Sequence, residues 1–236
     1  MTRRIEILPT RSALEDRVAA ELVTLISAAV RTRGRADVVV TGGTVGIGIL
    51  SALSRSSLLS TVDWTRVHVW WGDERFVPAR HADRNDKQAR DALFDHVDIP
   101  EVNLHTFPAD HGQGLDEARE EFVAEHVAGL PDFDVVLSGI GPDGHTASLF
   151  PGLPHGEGHD AIAVSNSPKP PAQRLSLTFD SLNRGHHVWI VASGLDKADA
   201  IARIIDDSPE TETPAAALRG VVETVVWVDA DAASSL

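Results

Sequence analysis

The first chemistry this chain offers is a histidine set among glycines and an acid: Gly139-Ile140-Gly141-Pro142-Asp143-Gly144-His145-Thr146. A neutral imidazole can accept a proton near neutral pH, which is what a general base requires. Asp143, two residues earlier, has the reach to fix the ring's tautomer or to orient a ligand hydroxyl. His145 is one of 11 histidines, and an isolated histidine is usually just solvated; its setting, not its type, singles it out.

A second group of residues suits an anion. Thr41-Gly42-Gly43-Thr44 opens a predicted helix after a predicted strand. Glycines let the backbone approach a ligand, and a helix N-terminus presents free N–H groups. The plainer reading is a tight turn, and the string matches neither a dinucleotide fingerprint nor a nucleotide P-loop. Arg174, behind the stiff Pro168-Lys169-Pro170-Pro171 segment, and Lys197, at the start of a late helix, are candidate phosphate ligands. For either one alone, a solvated surface role is the commoner case. Asp73-Glu74-Arg75 reads as a polar loop and a surface ion-pair cluster unless its place in the fold makes it functional.

Other chemistries fare worse. With no cysteine in the chain, disulfides, thiolate metal sites and a cysteine nucleophile are excluded. His155-x-x-x-His159 has ligand spacing, but its glycines oppose a helix, and His186-His187 would point to opposite faces of a strand. No metal site is expected. Neither G-x-S-x-G nor S-x-x-K occurs, so in a hydrolase the nucleophile would be water.

These groups need elements to hold them. Ser12 with Glu15 resembles a capping box, followed by apolar residues at helical spacing from Leu14 to Val30 and a stop at Gly34. Val38–Val40, Val67–Trp71, Asp134–Ser138, Val188–Ala192 and Val225–Val228 read as buried strands, and Leu175–Thr178 as another. Helices are predicted over Ile47–Leu53, Asn85–Phe94 and Leu115–Val127, and after Lys197 through Ile205. Pro151–Pro171 reads as a long loop with a short strand near Ala161. Apolar strands alternating with helices predict an α/β fold, a three-layer α/β/α Rossmann-like and mostly parallel sheet, as a single domain over 1–236. Thr41–Thr44, Gly72–Pro78, Ser138–His145 and Ser193–Lys197 each follow a predicted strand, so all should emerge at the carboxyl edge, where ligands bind.

Composition agrees. Hydrophobic residues make up 42% and charged residues 24%, as in a globular protein. A net charge of -14 disfavours nucleic acid and anionic membrane surfaces. The opening MTRRIEILPT lacks the apolar run of a signal peptide, and no stretch reaches the ~18 apolar residues of a membrane helix. A cytoplasmic protein, monomeric or a small homo-oligomer, is expected.

Taken together, the strings TGGT, WWGDERFVP, GIGPDGHTASLFPG, SPKPPAQRLSLT and SGLDKADA resemble the 6-phosphogluconolactonase family, in order, over most of the chain. The resemblance implies the sheet shared with glucosamine-6-phosphate deaminases. It also implies hydrolysis of 6-phospho-D-glucono-1,5-lactone to 6-phosphogluconate, the second step of the oxidative pentose phosphate pathway, without a cofactor. It carries the general-base role onto His145 and substrate contacts onto Gly43, Thr44, Asp73, Arg75, Asp143, Arg174 and Lys197, with Gly42 beside them. The family usually has Ser-Gly-Gly-Ser, often with Thr-Pro after it, where this chain has Thr-Gly-Gly-Thr-Val-Gly. The family's Ser-Asn-Tyr triplet appears as Arg84-Asn85-Asp86. Asn85 remains a candidate contact, while a tyrosine's role does not transfer.

The nearest rival is an amino-sugar phosphate deaminase or isomerase on the same fold. Its histidine motif resembles G-H-I-A-F-N-E, with a carboxylate five residues after the histidine; here that position is Phe150. A non-catalytic sugar-phosphate sensor is a more distant rival, lacking here any basic recognition helix. Incubation with glucosamine-6-phosphate is expected to release no ammonia in a coupled assay; clear release would reverse the ranking.

Overall fold

The computed structural model describes residues 3–236. These residues form ten strands: β1 (Arg3–Leu8), β2 (Ala36–Val40), β3 (Val67–Trp71), β4 (Asp73–Arg75), β5 (Leu104–His105), β6 (Val135–Gly139), β7 (Ala161–Val164), β8 (Arg174–Leu177), β9 (His187–Ala192) and β10 (Glu223–Asp229). The helices are α1 (Arg11–Arg33), α2 (Gly43–Arg55), α3 (Asn85–Ala92), α4 (Leu115–His126), the one-turn α5 (Phe179–Leu182) and α6 (Ala198–Ile205).

Seven strands pair in the order β1-β10-β9-β6-β2-β3-β5, every pair parallel. Helices cover the sheet, as the apolar strands require. All five residues of β2 are buried, and so are Val188–Ala192 of β9. From β2 the chain runs outward to β3 and β5, then returns to β6 on the other side of β2. That reversal opens a crevice at the carboxyl ends of β2 and β6.

A second sheet was not anticipated. β4 pairs antiparallel with β8, and β8 with β7. The Asp73–Arg75 segment is therefore a strand and not a free loop, and Asp73 and Glu74 are buried rather than forming a surface ion-pair cluster. Two edge strands of the large sheet also escaped the sequence reading. β1 interleaves Arg and Glu with its apolar residues, and β5 is two residues long; an edge does not demand a continuous apolar run.

The start of α1 differs from the expected capping box. Thr10, in extended conformation, accepts a hydrogen bond from the Ala13 N–H at 3.2 Å, while Ser12 already lies inside the helix. The end is as predicted: Gly34 adopts φ 77° and donates to Val30 O at 2.8 Å. The helix expected over Asn85–Phe94 ends at Ala92 and continues as a 3₁₀ turn, Phe94–His96. Among the described residues no helix is long and apolar enough to cross a membrane.

Away from the crevice, His105 stacks on Trp70 with ring centroids 3.8 Å apart, and its Nε2 lies 3.0 Å from His68 Nδ1. Burial, then the neighbouring His126 and His68, push the His105 pKa down to about 4 from the ordinary histidine value of 6.5. The unfolded chain therefore binds this proton more readily than the folded one, and stability falls as pH drops from about 6.5 toward about 4. Urea midpoints are expected to be lower at about pH 4.5 than at about pH 7, and His105→Phe, which keeps the stack without the proton, should narrow the gap.

Candidate active site

The carboxyl ends of β2, β3, β6 and β9 surround one cavity of about 520 Å³. Gly42, Gly43, Thr44, Asp73, Arg75, Asn85, His145, Arg174 and Lys197 all line it. Of the residues singled out from the sequence only Asp143 is absent from the wall; it stands behind His145.

The glycines fit their surroundings closely. Gly43 opens α2 at φ 78°, a conformation that strains any other residue. The helix has no side-chain cap at its N-terminus, which leaves its first N–H groups available to an anion. A Cβ on Gly42 would lie 1.8 Å from Asn85 Oδ1. The glycine loop after β2 thus makes room for the first residue of α3.

The loop after β6 folds back on itself. The Gly141 N–H donates to His145 O, and the Gly144 N–H to Gly141 O, each at 2.9 Å. Thr146 Oγ1 donates to Gly139 O at 3.0 Å. The result puts His145 Nδ1 2.5 Å from Asp143 Oδ1, with the ring packed against Phe150 at a centroid distance of 4.6 Å. A carboxylate at Nδ1 favours the tautomer with its proton there, leaving the Nε2 lone pair free. Burial pushes the Asp143 carboxyl up, but the hydrogen bond and charge of His145 and the charge of Lys169 outweigh it. The group lies well below the usual carboxylate range.

Across the cavity the antiparallel register places Arg75 opposite Arg174. Arg174 is buried. Its Nε donates to Pro171 O at 3.1 Å, its Nη2 to the carbonyls of Lys169 and Pro170 at 3.3 Å each, and its Nη1 lies 3.7 Å from Asp73 Oδ2. Asp73 also accepts from Ser148 Oγ at 2.6 Å. Arg75 Nη1 donates to Asn85 Oδ1, whose amide in turn donates to Asp73 O at 2.8 Å. Arg75 Nε is buried without a partner among the described residues. Lys197 sits in a 3₁₀ turn after β9, 3.0 Å from Asp196 Oδ2. That turn hangs from Asp229 at the end of β10, which accepts from the Gly194 N–H at 3.0 Å and from Ser193 Oγ at 2.5 Å.

Sequence reasoning missed four residues. Glu74 is buried beneath the site and accepts from the N–H groups of Arg75, Asn85 and Asp86 at 2.7, 2.7 and 2.9 Å. It thereby caps α3 and fixes Asn85. Burial drives its carboxyl up to about 7, against the pull of Arg84 and the N–H groups. Arg11, at the start of α1, lines the cavity mouth. Asp229 anchors the Lys197 turn. Lys169 extends Nζ to 3.4 Å from His145 Nδ1. No local pattern marks Arg11 or Asp229; Glu74 was read only as part of a surface ion-pair cluster, and Lys169 lay within a quoted string whose stiffness, not its charge, drew notice. Among the described residues no three or more His, Cys, Asp or Glu side chains are grouped as metal ligands would be.

The family of glucosamine-6-phosphate isomerases/6-phosphogluconolactonase matches residues 9–227. A 6-phosphogluconolactonase of Mycobacterium bovis is 42% identical over 247 residues, covering 100% of this chain and 99% of that protein. One of Mycobacterium leprae is 39% identical over 248 residues, with the same coverage. The crystal structure of a 6-phosphogluconolactonase from Thermotoga maritima superposes with a TM-score of 0.85 at 28% identity, covering 97% of this chain and 100% of that one.

A Cβ on Gly141 would stand 2.0 Å from the His145 ring. Gly141→Ala is expected to displace the imidazole and lower turnover about 10²-fold, with the circular dichroism spectrum unchanged; kcat and the melting curve measured together check this.

Proposed function

The chain belongs to the glucosamine-6-phosphate isomerase/6-phosphogluconolactonase family and hydrolyses 6-phosphogluconolactone, and we propose that it does so by water attack assisted by His145. One observation carries the mechanism: the Asp143–His145 pair opens onto the same cavity as Arg75, Arg174, Lys197 and the N-terminus of α2. A base and an anion site thus share a single crevice.

The N–H groups at Gly43 and Thr44, with Lys197 and Arg174, hold the phosphate of the lactone. His145 Nε2 takes a proton from water as the water oxygen bonds to C1. The carbonyl electrons become an oxyanion, which Arg75 and the backbone N–H groups of the site stabilise. Collapse of that intermediate breaks the bond from C1 to the ring oxygen. The imidazolium gives its proton to that oxygen, which becomes the C5 hydroxyl, and the new carboxylic acid ionises into solvent. Asp143 holds the ring in the tautomer this sequence needs, and Asp73 and Asn85 orient Arg75 and the sugar hydroxyls. Water is the only co-reactant, so the chemistry asks for neither metal nor organic cofactor. The deaminase rival needs a carboxylate where Phe150 packs on the base, and an apolar ring cannot relay a proton. We read residues 1–236 as one lactonase domain acting in the cytoplasm as a monomer or small homo-oligomer, with no nucleic-acid or membrane partner, a reading supported by the missing cysteines and the net charge of -14.

His145→Ala is expected to lower kcat by roughly 10²–10⁴ with the fold intact, measured on freshly generated lactone with its spontaneous opening subtracted. Lys197→Ala should instead raise KM, by about 1.5–3 kcal/mol of lost binding, with kcat little changed. Arg174 is a less clean target, because its loss also strands Asp73 and three carbonyls. Wild-type turnover in His145→Ala would show that the base is wrong.

A further inference from the structure

We propose that Lys169 is a positioning residue for His145, its ammonium keeping the imidazole in the proton-accepting form against the pull of Asp143. The inference rests on His145 being the base and adds a third member to the pair.

Lys169 Nζ lies 3.4 Å from His145 Nδ1 and 3.8 Å from Asp143 Oδ1. Its backbone is fixed from two sides. Ser167 Oγ donates to Lys169 O at 2.9 Å, and the Lys169 N–H donates back to Ser167 Oγ at 3.2 Å. Arg174 Nη2 donates to the same carbonyl. The ammonium is therefore delivered to the dyad by a stapled segment, although its side chain keeps 39% exposure.

The physical need is plain. A carboxylate at 2.5 Å stabilises imidazolium, and a histidine locked as imidazolium cannot accept a proton. An ammonium beside the same ring works the other way. It shares the charge of Asp143 and disfavours a second cation. Lys169 cannot donate to an Nδ1 that already carries a proton, so its effect is through charge and not through a competing hydrogen bond. After water is deprotonated, the same repulsion favours return of the proton to the leaving ring oxygen. Other charged groups stand around the pair: Asp73, Arg75 and Arg174 on β4 and β8, Asp196 and Lys197 in the turn after β9, and Arg203 of α6, which donates to Pro142 O at 3.2 Å. Asp143 and Lys169 are the ones that meet the ring nitrogen.

The test is an NMR titration of the His145 ring, assigned by its absence from His145→Ala, beside kcat and KM between about pH 5 and 8. Lys169→Met should move the ring's midpoint upward by about one pH unit, the low end for a charge this close because Lys169 is partly exposed. The acid limb of kcat should move with it and KM should hold. Lys169→Arg should restore both, and Lys169→Gln repeats the comparison if the methionine variant folds poorly. The phosphate of the substrate titrates identically for all variants. An unmoved midpoint overturns the proposal, and so does a rise in KM at every pH, which would make Lys169 a substrate ligand. Turnover retained in His145→Ala is a separate result, which removes the base itself.

Discussion

Two guanidinium groups held side by side define this structure. The antiparallel pairing of β4 with β8 puts Arg75 opposite Arg174 at the mouth of a parallel sheet. Like charges in facing positions repel, and the fold offsets this locally. Asp73 lies against Arg174, three backbone carbonyls take the rest of that guanidinium, and Asn85 holds Arg75. What is left over is positive charge on the cavity wall. Preorganised charge of this kind needs no rearrangement when negative charge develops during a reaction.

The small sheet that enforces this pairing also ties the long loop to the site. β8 follows directly on the segment that carries Lys169, and β4 follows directly on β3. One ribbon therefore sets the height of Arg75, Arg174 and Lys169 relative to the histidine loop after β6. Beneath it, Glu74 gathers three N–H groups and fixes where α3 begins. A buried carboxylate with donors on several sides tolerates burial better than one left alone, though burial still raises its proton affinity.

The charge distribution of the whole chain takes on meaning here. Acidic residues outnumber basic ones, 35 to 21, so the general field repels anions. The exception is the cavity, where Arg75, Arg174 and Lys197 converge beside the N-terminus of α2. The net charge acts over the whole surface, the cations of the cavity only locally.

The sequence by itself determined the alternation of apolar strands and helices and the carboxyl-edge placement of the four motif loops, and it marked His145, which the fold brings to the same cavity wall as Arg174 and Lys197. Each of these is encoded within a few neighbouring residues: a run of valines, a glycine turn, a histidine two residues after an acid. The tertiary structure alone decided the rest. Asp73–Arg75 looked like a polar loop because its partner strand lies about a hundred residues away, and strand pairing at that separation leaves no local trace. Glu74, Asp229 and Arg11 join the site through folding, as does the contact of Lys169 with His145, since burial and charge partnership are properties of what surrounds a residue in space. Thr10 caps the helix in place of Ser12 because Thr10 holds the extended backbone that lets its hydroxyl reach the Ala13 N–H, and the spacing of hydroxyl and acid does not fix which residue takes that conformation.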